Sequence, residues 1–192
     1  MTTAKIGDTV TFGYFYGEIE WLVLDKKEDA LLLQSKNVLE TMQFNKKYGS
    51  IEWSESFMRK WLNGVFFLKT FSESEKLSIL ETEIPDTQNP AYGYRREKSR
   101  DKVFLLSIEE AKKYYSSDKE RMAFSSETAK EQGVLFDKYN GASPWWLRTP
   151  GYDKRRSAVV SSEGDIREMG AYNDYGTVSV RPAVWVDSSK MK

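Results

Sequence analysis

Apolar residues near the start of the chain alternate with polar ones or form short uninterrupted runs, which is the pattern of β-strands. Residues 10–14 alternate, and two continuous apolar runs follow at residues 19–24 and 30–33. A charged turn at residues 25–29 separates the two runs. The pattern predicts a meander of three short strands over residues 5–34, with the continuous runs buried on both faces.

Helical signals replace this pattern in the middle of the chain. Helices are predicted at residues 53–63, 72–80 and 126–132, each with a serine near its start that can cap the first turn. A fourth helix is predicted after Ser107. Ser72 and Ser107 each have a glutamate three residues later, the spacing of a reciprocal capping box. Residues 85–100 contain prolines, a glycine and several basic side chains, which predict an extended, solvated loop.

Strand-like segments return from Trp145 to the end of the chain. Two aromatic-rich segments each carry an arginine close to a proline, at Arg148 and Arg181, and a short apolar run at residues 158–160 lies between them. The pattern predicts a small antiparallel sheet with a guanidinium at each of two strand ends. Strands followed by helices and again by strands predict an α+β fold. Because no linker composition interrupts the chain, we expect a single domain over residues 1–192.

Two residue types that the chain lacks narrow its chemistry. Without cysteine there is no disulfide, thiolate nucleophile or zinc-thiolate site, and without histidine the commonest general base and transition-metal ligand is missing. We therefore expect no metal and no cofactor. Lysine and arginine together number 29, as do aspartate and glutamate, so we expect no nucleic acid partner. The lack of an apolar leader or a spanning apolar run predicts a cytoplasmic protein with no membrane partner.

Five blocks of the sequence occur together in a recognisable order. They are Ile19–Leu24, Ser56–Asn63, Asp101–Ala111, Trp145–Gly151 and Val180–Ala183. In this order they resemble a bacterial family of domains of unknown function that is common in Firmicutes. The family has no assigned activity, so the resemblance supplies no catalytic residues.

The last third of the chain carries a second resemblance. Its tryptophan-led strand, glycine turn and closing Val-Arg-Pro strand are similar to C-type-lectin-like folds, which include formylglycine-generating-enzyme-like domains and the variable proteins of diversity-generating retroelements. The resemblance implies a twisted antiparallel sheet with flanking helices. The copper-binding cysteines of the formylglycine-generating enzyme have no counterpart in this chain. The calcium-dependent sugar motif of animal lectins is also missing, and residues 172–174 are the segment most similar to it. The resemblance therefore concerns the fold and leaves the function open.

Candidate ligand residues cluster around the last strands. A glycine-bounded loop at residues 170–176 mixes tyrosines with Asn and Asp, as binding loops do. Arg148 suits a carboxylate or phosphate ligand, or alternatively pins a strand end through an internal partner, the role we expect of Arg181. Either Trp145 or Trp146 is expected to face outward as a stacking platform, or alternatively to pack under the preceding loop. The predicted ligand-binding residues are Trp146, Arg148, Tyr152, Asp153, Tyr172, Asn173, Asp174 and Tyr175.

These residues predict a non-catalytic binding module whose ligand is a protein, a peptide or a glycan. The alternative is a hydrolase or transferase that uses two facing carboxylates among Asp153, Glu163, Asp165 and Glu168. The two hypotheses differ in what the structure must contain. Catalysis requires acids that converge in a pocket, whereas binding requires exposed aromatic residues beside well-placed polar groups. The sequence leaves the oligomeric state open.

Overall fold

Two five-stranded sheets organise the chain in the computed structural model, which describes residues 4–191. The strands are β1 (Thr9–Tyr14), β2 (Glu18–Lys27), β3 (Ala30–Ser35), β4 (Glu40–Thr41), β5 (Thr82–Ile84), β6 (Thr87–Gln88), β7 (Arg95–Arg96), β8 (Ser99–Asp101), β9 (Val103–Phe104), β10 (Trp145–Pro150), β11 (Arg156–Val160), β12 (Ile166–Tyr172), β13 (Ser179–Val180) and β14 (Ala183–Asp187). The first sheet has the order β1-β2-β3-β14-β9 and the second the order β12-β11-β10-β13-β4. Because β13 and β14 are consecutive but lie in different sheets, the segment at Arg181 joins the two sheets.

Short helices connect the strands, so the fold is α+β as predicted. They are α1 (Phe57–Trp61), α2 (Phe67–Thr70), α3 (Glu73–Ser78), α4 (Ile108–Tyr114), α5 (Asp118–Arg121) and α6 (Glu127–Glu131). A 3-10 turn (Trp53–Glu55) precedes α1, and a π-helical turn (Leu62–Phe66) joins α1 to α2. Between residues 4 and 191, no helix is both long and apolar enough to cross a membrane.

The first three strands form the predicted meander. β1 pairs with β2, β2 with β3 and β3 with β14, all in antiparallel register. Leu31, Leu32 and Leu33 lie in the middle of this sheet and are almost completely buried. Consecutive leucines point to opposite faces of a strand, so their burial shows that this part of the sheet is covered on both sides.

Both predicted capping boxes are present, at the starts of α3 and α4. The hydroxyl oxygens of Ser72 and Ser107 each accept a hydrogen bond from the N–H of the glutamate three residues later. The carboxylate of that glutamate accepts in return from the N–H of the serine. This reciprocal exchange satisfies N–H groups that have no partner inside the helix.

The predicted end of the first helix at Asn63 is wrong, because the chain continues through the π-helical turn into α2. The side chain of Asn63 donates to the carbonyl oxygens of Arg59 and Val103 and accepts from the N–H groups of Lys102 and Val103. Its amide is therefore used to hold β9 and does not end the helix.

The segment predicted as a solvated loop is a folded arm in which β5 pairs with β8 and β6 with β7. Arg96 on this arm is completely buried, with its guanidinium 4.5 Å from the centre of the Phe44 ring. It donates to the carbonyl oxygens of Ile51, Arg148 and Arg156 and to the Ser157 hydroxyl. Burial lowers the pKa of Arg96 to about 9, so the guanidinium keeps its charge at neutral pH.

Arg181 is also buried and uses internal partners, as predicted. Its guanidinium donates to the carbonyl oxygens of Ser35, Lys36 and Arg121 and lies 5.0 Å from the centre of the Trp145 ring. Burial lowers the pKa of Arg181. The bonds tie the end of β3 and the chain before β14 to the last residue of α5, so this arginine has a structural role.

Candidate functional site

One hairpin carries several of the predicted site residues. β10 and β11 are joined by residues 151–155, and the backbone N–H groups of Gly151 and Tyr152 donate to the carbonyl oxygens of Arg156 and Met169. The N–H of Arg156 donates to the Asp153 carbonyl oxygen, and the N–H of Arg155 to the Asp153 carboxylate. The turn is therefore fixed by its own hydrogen bonds.

Asn173 fastens this hairpin to the end of β12. Its side chain is completely buried, donates to the Lys154 carbonyl oxygen and accepts from the Ser157 hydroxyl. Its backbone N–H donates to the Arg155 carbonyl oxygen. All of these bonds are internal, so Asn173 supports the surface described below without being exposed on it.

A bulge in β12 places Tyr172 beside the hairpin. The register between β11 and β12 shifts between Ser157 and Val159, and Gly170 lies at the shift with a φ of 71°. A Cβ atom on Gly170 would lie 2.2 Å from the Ser157 carbonyl oxygen, so a larger residue does not fit. Beyond the bulge, Tyr172 pairs with Arg156 across the two strands.

Three tyrosines cluster next to the hairpin. The ring centre of Tyr172 lies 5.7 Å from that of Tyr48 and 5.5 Å from that of Tyr175, with the ring planes tilted by 55° and 64°. Tyr48 is 57% exposed and Tyr175 50% exposed, while Tyr172 is half-buried. Together with the charged side chains of the hairpin they form the tyrosine–arginine surface, which comprises Tyr48, Asp153, Arg155, Arg156, Tyr172 and Tyr175.

Arg155 organises this surface through contacts inside it. Its Nε and Nη2 donate to the Asp153 carboxylate at 2.8 and 2.5 Å, and its Nη1 donates to the Tyr48 hydroxyl at 3.0 Å. The hydrogen bonds from Arg155 hold the pKa of Asp153 below its ordinary value. Asp153 is therefore an ionised partner of Arg155, and Arg155 joins the hairpin to Tyr48.

Arg156 differs from every other arginine described so far. Its guanidinium lies 4.0 Å from the centre of the Tyr172 ring, yet across residues 4–191 it has no hydrogen-bond acceptor and no ion pair. None of its nitrogens is among the buried polar atoms that lack a partner, so the group is reached by solvent. The aromatic ring holds the guanidinium in place by a cation–π contact, and its donors stay free of protein acceptors within residues 4–191.

Trp146, one of the predicted ligand residues, lies in the core. Trp146 is completely buried and donates from its indole N–H to the Met42 carbonyl oxygen, and Trp145 is equally buried. The expectation that one of the two tryptophans faces outward is therefore wrong, because both faces of β10 are covered. A fully buried indole has no face to offer a ligand.

Arg148, another of the predicted ligand residues, also lies in the core. Its Nη1 and Nη2 donate to the Glu110 carboxylate, and Nη1 also donates to the Leu105 carbonyl oxygen. Burial raises the pKa of Glu110, but the charge and hydrogen bonds of Arg148 outweigh it, and the pKa is lowered. The internal partner, one of the two alternatives drawn from the sequence, accounts for this guanidinium.

Two further predicted residues border the surface. Tyr152 is about half exposed and packs edge-on against Tyr92, with ring centres 5.1 Å apart. The carbonyl oxygen of Asp174 accepts from the Gln43 side chain, and its buried Oδ1 has no hydrogen-bond partner. Both residues are near the tyrosine–arginine surface, since Tyr152 belongs to the hairpin and Asp174 lies between Tyr172 and Tyr175.

The sequence interpretation missed Tyr48, Arg155 and Arg156. Tyr48 follows two lysines in a polar segment more than a hundred residues before the hairpin, and nothing in its neighbourhood marks it as a contact. The paired arginines two residues after Asp153, at the start of β11, are a usable signal, because neighbouring side chains of an extended segment point in different directions and meet different partners.

The acids proposed for catalysis do not converge. Asp165 and Glu163 both contact Arg167, and Glu168 contacts Lys112. Asp153 belongs to Arg155 as described above. In the described part of the chain no three Asp or Glu residues are placed to hold a metal ion. Each acid is thus paired with a cation, and Glu163 and Asp165 share Arg167.

Comparison with known proteins places the chain by family alone. No curated protein and no solved structure matches it significantly. A family model described as a domain of unknown function, DUF6273, matches residues 28–188, which include all residues of the tyrosine–arginine surface. Because this match covers most of the sequence, the chain belongs to the DUF6273 family.

Proposed function

We propose that the protein is a non-catalytic binding module that holds a peptide segment of a partner protein on the tyrosine–arginine surface. The observation that carries the proposal is the cluster of Tyr48, Tyr172 and Tyr175, two of which expose half or more of their area. Tyrosine and arginine are the residue types that contribute most often to binding energy at protein interfaces. Here the arginines belong to a hydrogen-bonded hairpin and the tyrosine rings pack against one another beside it, so little conformational entropy is lost on binding.

The geometry of the rings favours a peptide over a glycan. Sugars stack on flat, open aromatic faces, but the Tyr172 ring is tilted by more than 50° against the Tyr48 ring and against the Tyr175 ring. One face of Tyr172 is already covered by the Arg156 guanidinium. What remains are ring edges, hydroxyl groups and grooves between tilted rings, which suit the side chains of an extended peptide.

We further propose that the fold is C-type-lectin-like. The tryptophan-led β10, the hairpin to β11 and the closing strand β14 occur in the order that the resemblance implies. In such a fold the loop at residues 170–176 belongs to the surface that contacts ligands. The position of Tyr172 and Tyr175 on this loop is therefore a second argument that the tyrosine–arginine surface binds the ligand.

A display library of random peptides, selected on the immobilised protein, tests the binding function. We expect the wild-type protein to enrich a set of related peptides. The double variant Tyr172→Ala, Tyr175→Ala is expected to bind them at least about tenfold more weakly in fluorescence anisotropy, because two of the contact rings are lost. Its free energy of unfolding should fall by no more than about 1 kcal/mol, since both rings are partly solvated.

The matched control is the double variant Tyr14→Ala, Tyr139→Ala, which removes two exposed tyrosines outside the surface. Its affinity for the selected peptides should equal that of the wild-type protein. Failure of the wild-type protein to enrich any peptide, or equal binding by both double variants, would contradict the proposed function.

A further inference from the structure

Arg156 is the one charged group of the tyrosine–arginine surface that makes no hydrogen bond and no ion pair with the described residues, although its charge helps to lower the pKa of Asp153. A guanidinium has five N–H donors, and burying or crowding it without acceptors is costly. The buried Arg96, Arg148 and Arg181 each donate to at least two oxygen acceptors. Arg155, its neighbour in sequence, uses all three of its nitrogens.

Arg156 is also fixed in position without an acceptor. Its Cα pairs with that of Tyr172 across the strands, and its guanidinium lies 4.0 Å from the Tyr172 ring centre. The side chain therefore loses little freedom when a ligand binds, and its planar fork presents two parallel donors. Asp153 does not compete for it, because the oxygens of that carboxylate already accept from Arg155.

We infer that the peptide bound here is acidic and that the side-chain carboxylate of an aspartate or glutamate pairs with the Arg156 guanidinium through two hydrogen bonds. This inference rests on the proposed function and names the chemistry of its ligand. A carboxylate matches the spacing of the fork, and a charge-assisted pair of this kind is the strong form of hydrogen bond. Lys47, next to Tyr48 in the sequence, is exposed and has no ion pair within residues 4–191, so a cation without an acidic partner flanks one of the three tyrosines.

A single carboxylate fits the surface better than two other anions do. A phosphate carries close to two negative charges, so Asp153 on this surface and Asp174 beside it would repel a phosphate more strongly than a carboxylate. A chain-terminal carboxylate is normally held by free backbone N–H groups. In the hairpin the N–H groups of Gly151, Tyr152, Arg155 and Arg156 are already donated to internal oxygens.

The test repeats the peptide selection, with amidated C-termini, on the wild-type protein, Arg156→Gln and Arg167→Gln. Arg167 is exposed on the same sheet at the far end of β12 and is paired with Asp165, so this control removes the same charge outside the surface. The wild-type protein and Arg167→Gln should enrich an acidic residue at one fixed peptide position. In Arg156→Gln this enrichment should disappear.

The selected peptide and its amide analogue, Asp→Asn or Glu→Gln, are then titrated against each protein. We expect Arg156→Gln or the amide analogue to weaken binding at least about tenfold, and the two changes together to weaken it little further. Arg156→Lys keeps the charge without the fork and should give an intermediate loss, which provides a second variant if the glutamine variant does not fold. The ¹⁵N–¹H signal of Arg156 Nε should shift on binding.

The outcomes separate this inference from the function on which it rests. Two results would overturn the carboxylate assignment but not the peptide-binding function. The first is that the selected peptides have no preferred acidic residue. The second is that Arg156→Gln binds them as tightly as wild type, whereas the double variant Tyr172→Ala, Tyr175→Ala does not bind. Preference for a phosphorylated residue or for a free C-terminus also overturns it. Absence of any selected peptide overturns both.

Discussion

The substitution Glu110→Gln tests whether the buried ion pair of Arg148 with Glu110 stabilises the fold. Glu110 joins two features, because its carboxylate accepts from the Ser107 N–H in the capping box of α4 and from two nitrogens of Arg148. Glutamine keeps an oxygen for the cap but removes the charge. Arg148 is buried, its Nε already lacks a partner, and after the substitution the Leu105 carbonyl oxygen is its remaining strong acceptor.

Removing one partner of a buried ion pair costs roughly 3–5 kcal/mol, because the other charge is left uncompensated. The Glu110 side chain is 23% exposed, so water can reach part of the vacated space and the lower end applies. We therefore expect Glu110→Gln to lower the free energy of unfolding by about 3 kcal/mol. Chemical denaturation followed by two probes measures the loss and checks that the transition is two-state.

Glu75→Gln is the matched control, since Glu75 occupies the same position in the capping box of α3 and contacts no cation among residues 4–191. Its substitution should cost about 1 kcal/mol, the contribution of a cap or a single hydrogen bond. Equal losses for the two variants would refute the reasoning, because the extra cost of Glu110→Gln is attributed entirely to the stranded charge on Arg148.

Three further predictions concern the frame that supports the surface. Arg181→Ala should lower the free energy of unfolding by about 2 kcal/mol or more, because three buried carbonyl oxygens lose their donor; an unchanged melting temperature would argue against this role. Gly170→Ala should cost more than about 2 kcal/mol in denaturant unfolding, since its Cβ would meet the Ser157 carbonyl oxygen at a positive φ; a wild-type value would show that the bulge can relax. The folded-state pKa of Glu110 is lowered, so its stabilising contribution is complete above the unfolded value of 4.5 and is lost as the pH falls through the folded value. Unfolding free energies measured from about pH 6 down to about pH 3 should fall less steeply in Glu110→Gln than in the wild-type protein, and identical slopes would contradict the assignment.

Local features of the fold could be read from the sequence because they depend on neighbouring residues. The capping boxes at Ser72 and Ser107 require only a spacing of three residues. The leucine run of β3 marks a strand buried on both faces wherever its partners come from. In contrast, the burial of Arg96 depends on carbonyl oxygens from distant parts of the chain, so its basic neighbourhood predicted a solvated loop.

The residues of the candidate site likewise fall into those that the sequence predicts and those that only the structure identifies. The loop with Tyr172 and Tyr175 could be proposed from its composition alone. Tyr48 reaches it only through the tertiary fold, and the free guanidinium of Arg156 can be recognised only once the partners of Arg155 are known. Composition therefore pointed to the location of a surface, whereas contacts between distant segments determine which of its groups remain available for a ligand.

A crystal structure of the protein with its tightest-binding selected peptide would show directly whether Arg156 binds a peptide carboxylate. We expect two oxygens of a peptide Asp or Glu side chain to accept from two nitrogens of Arg156, with the peptide lying across Tyr172 and Tyr175. A peptide seated elsewhere on the protein, or one that crosses the tyrosines while Arg156 still faces solvent, would contradict it.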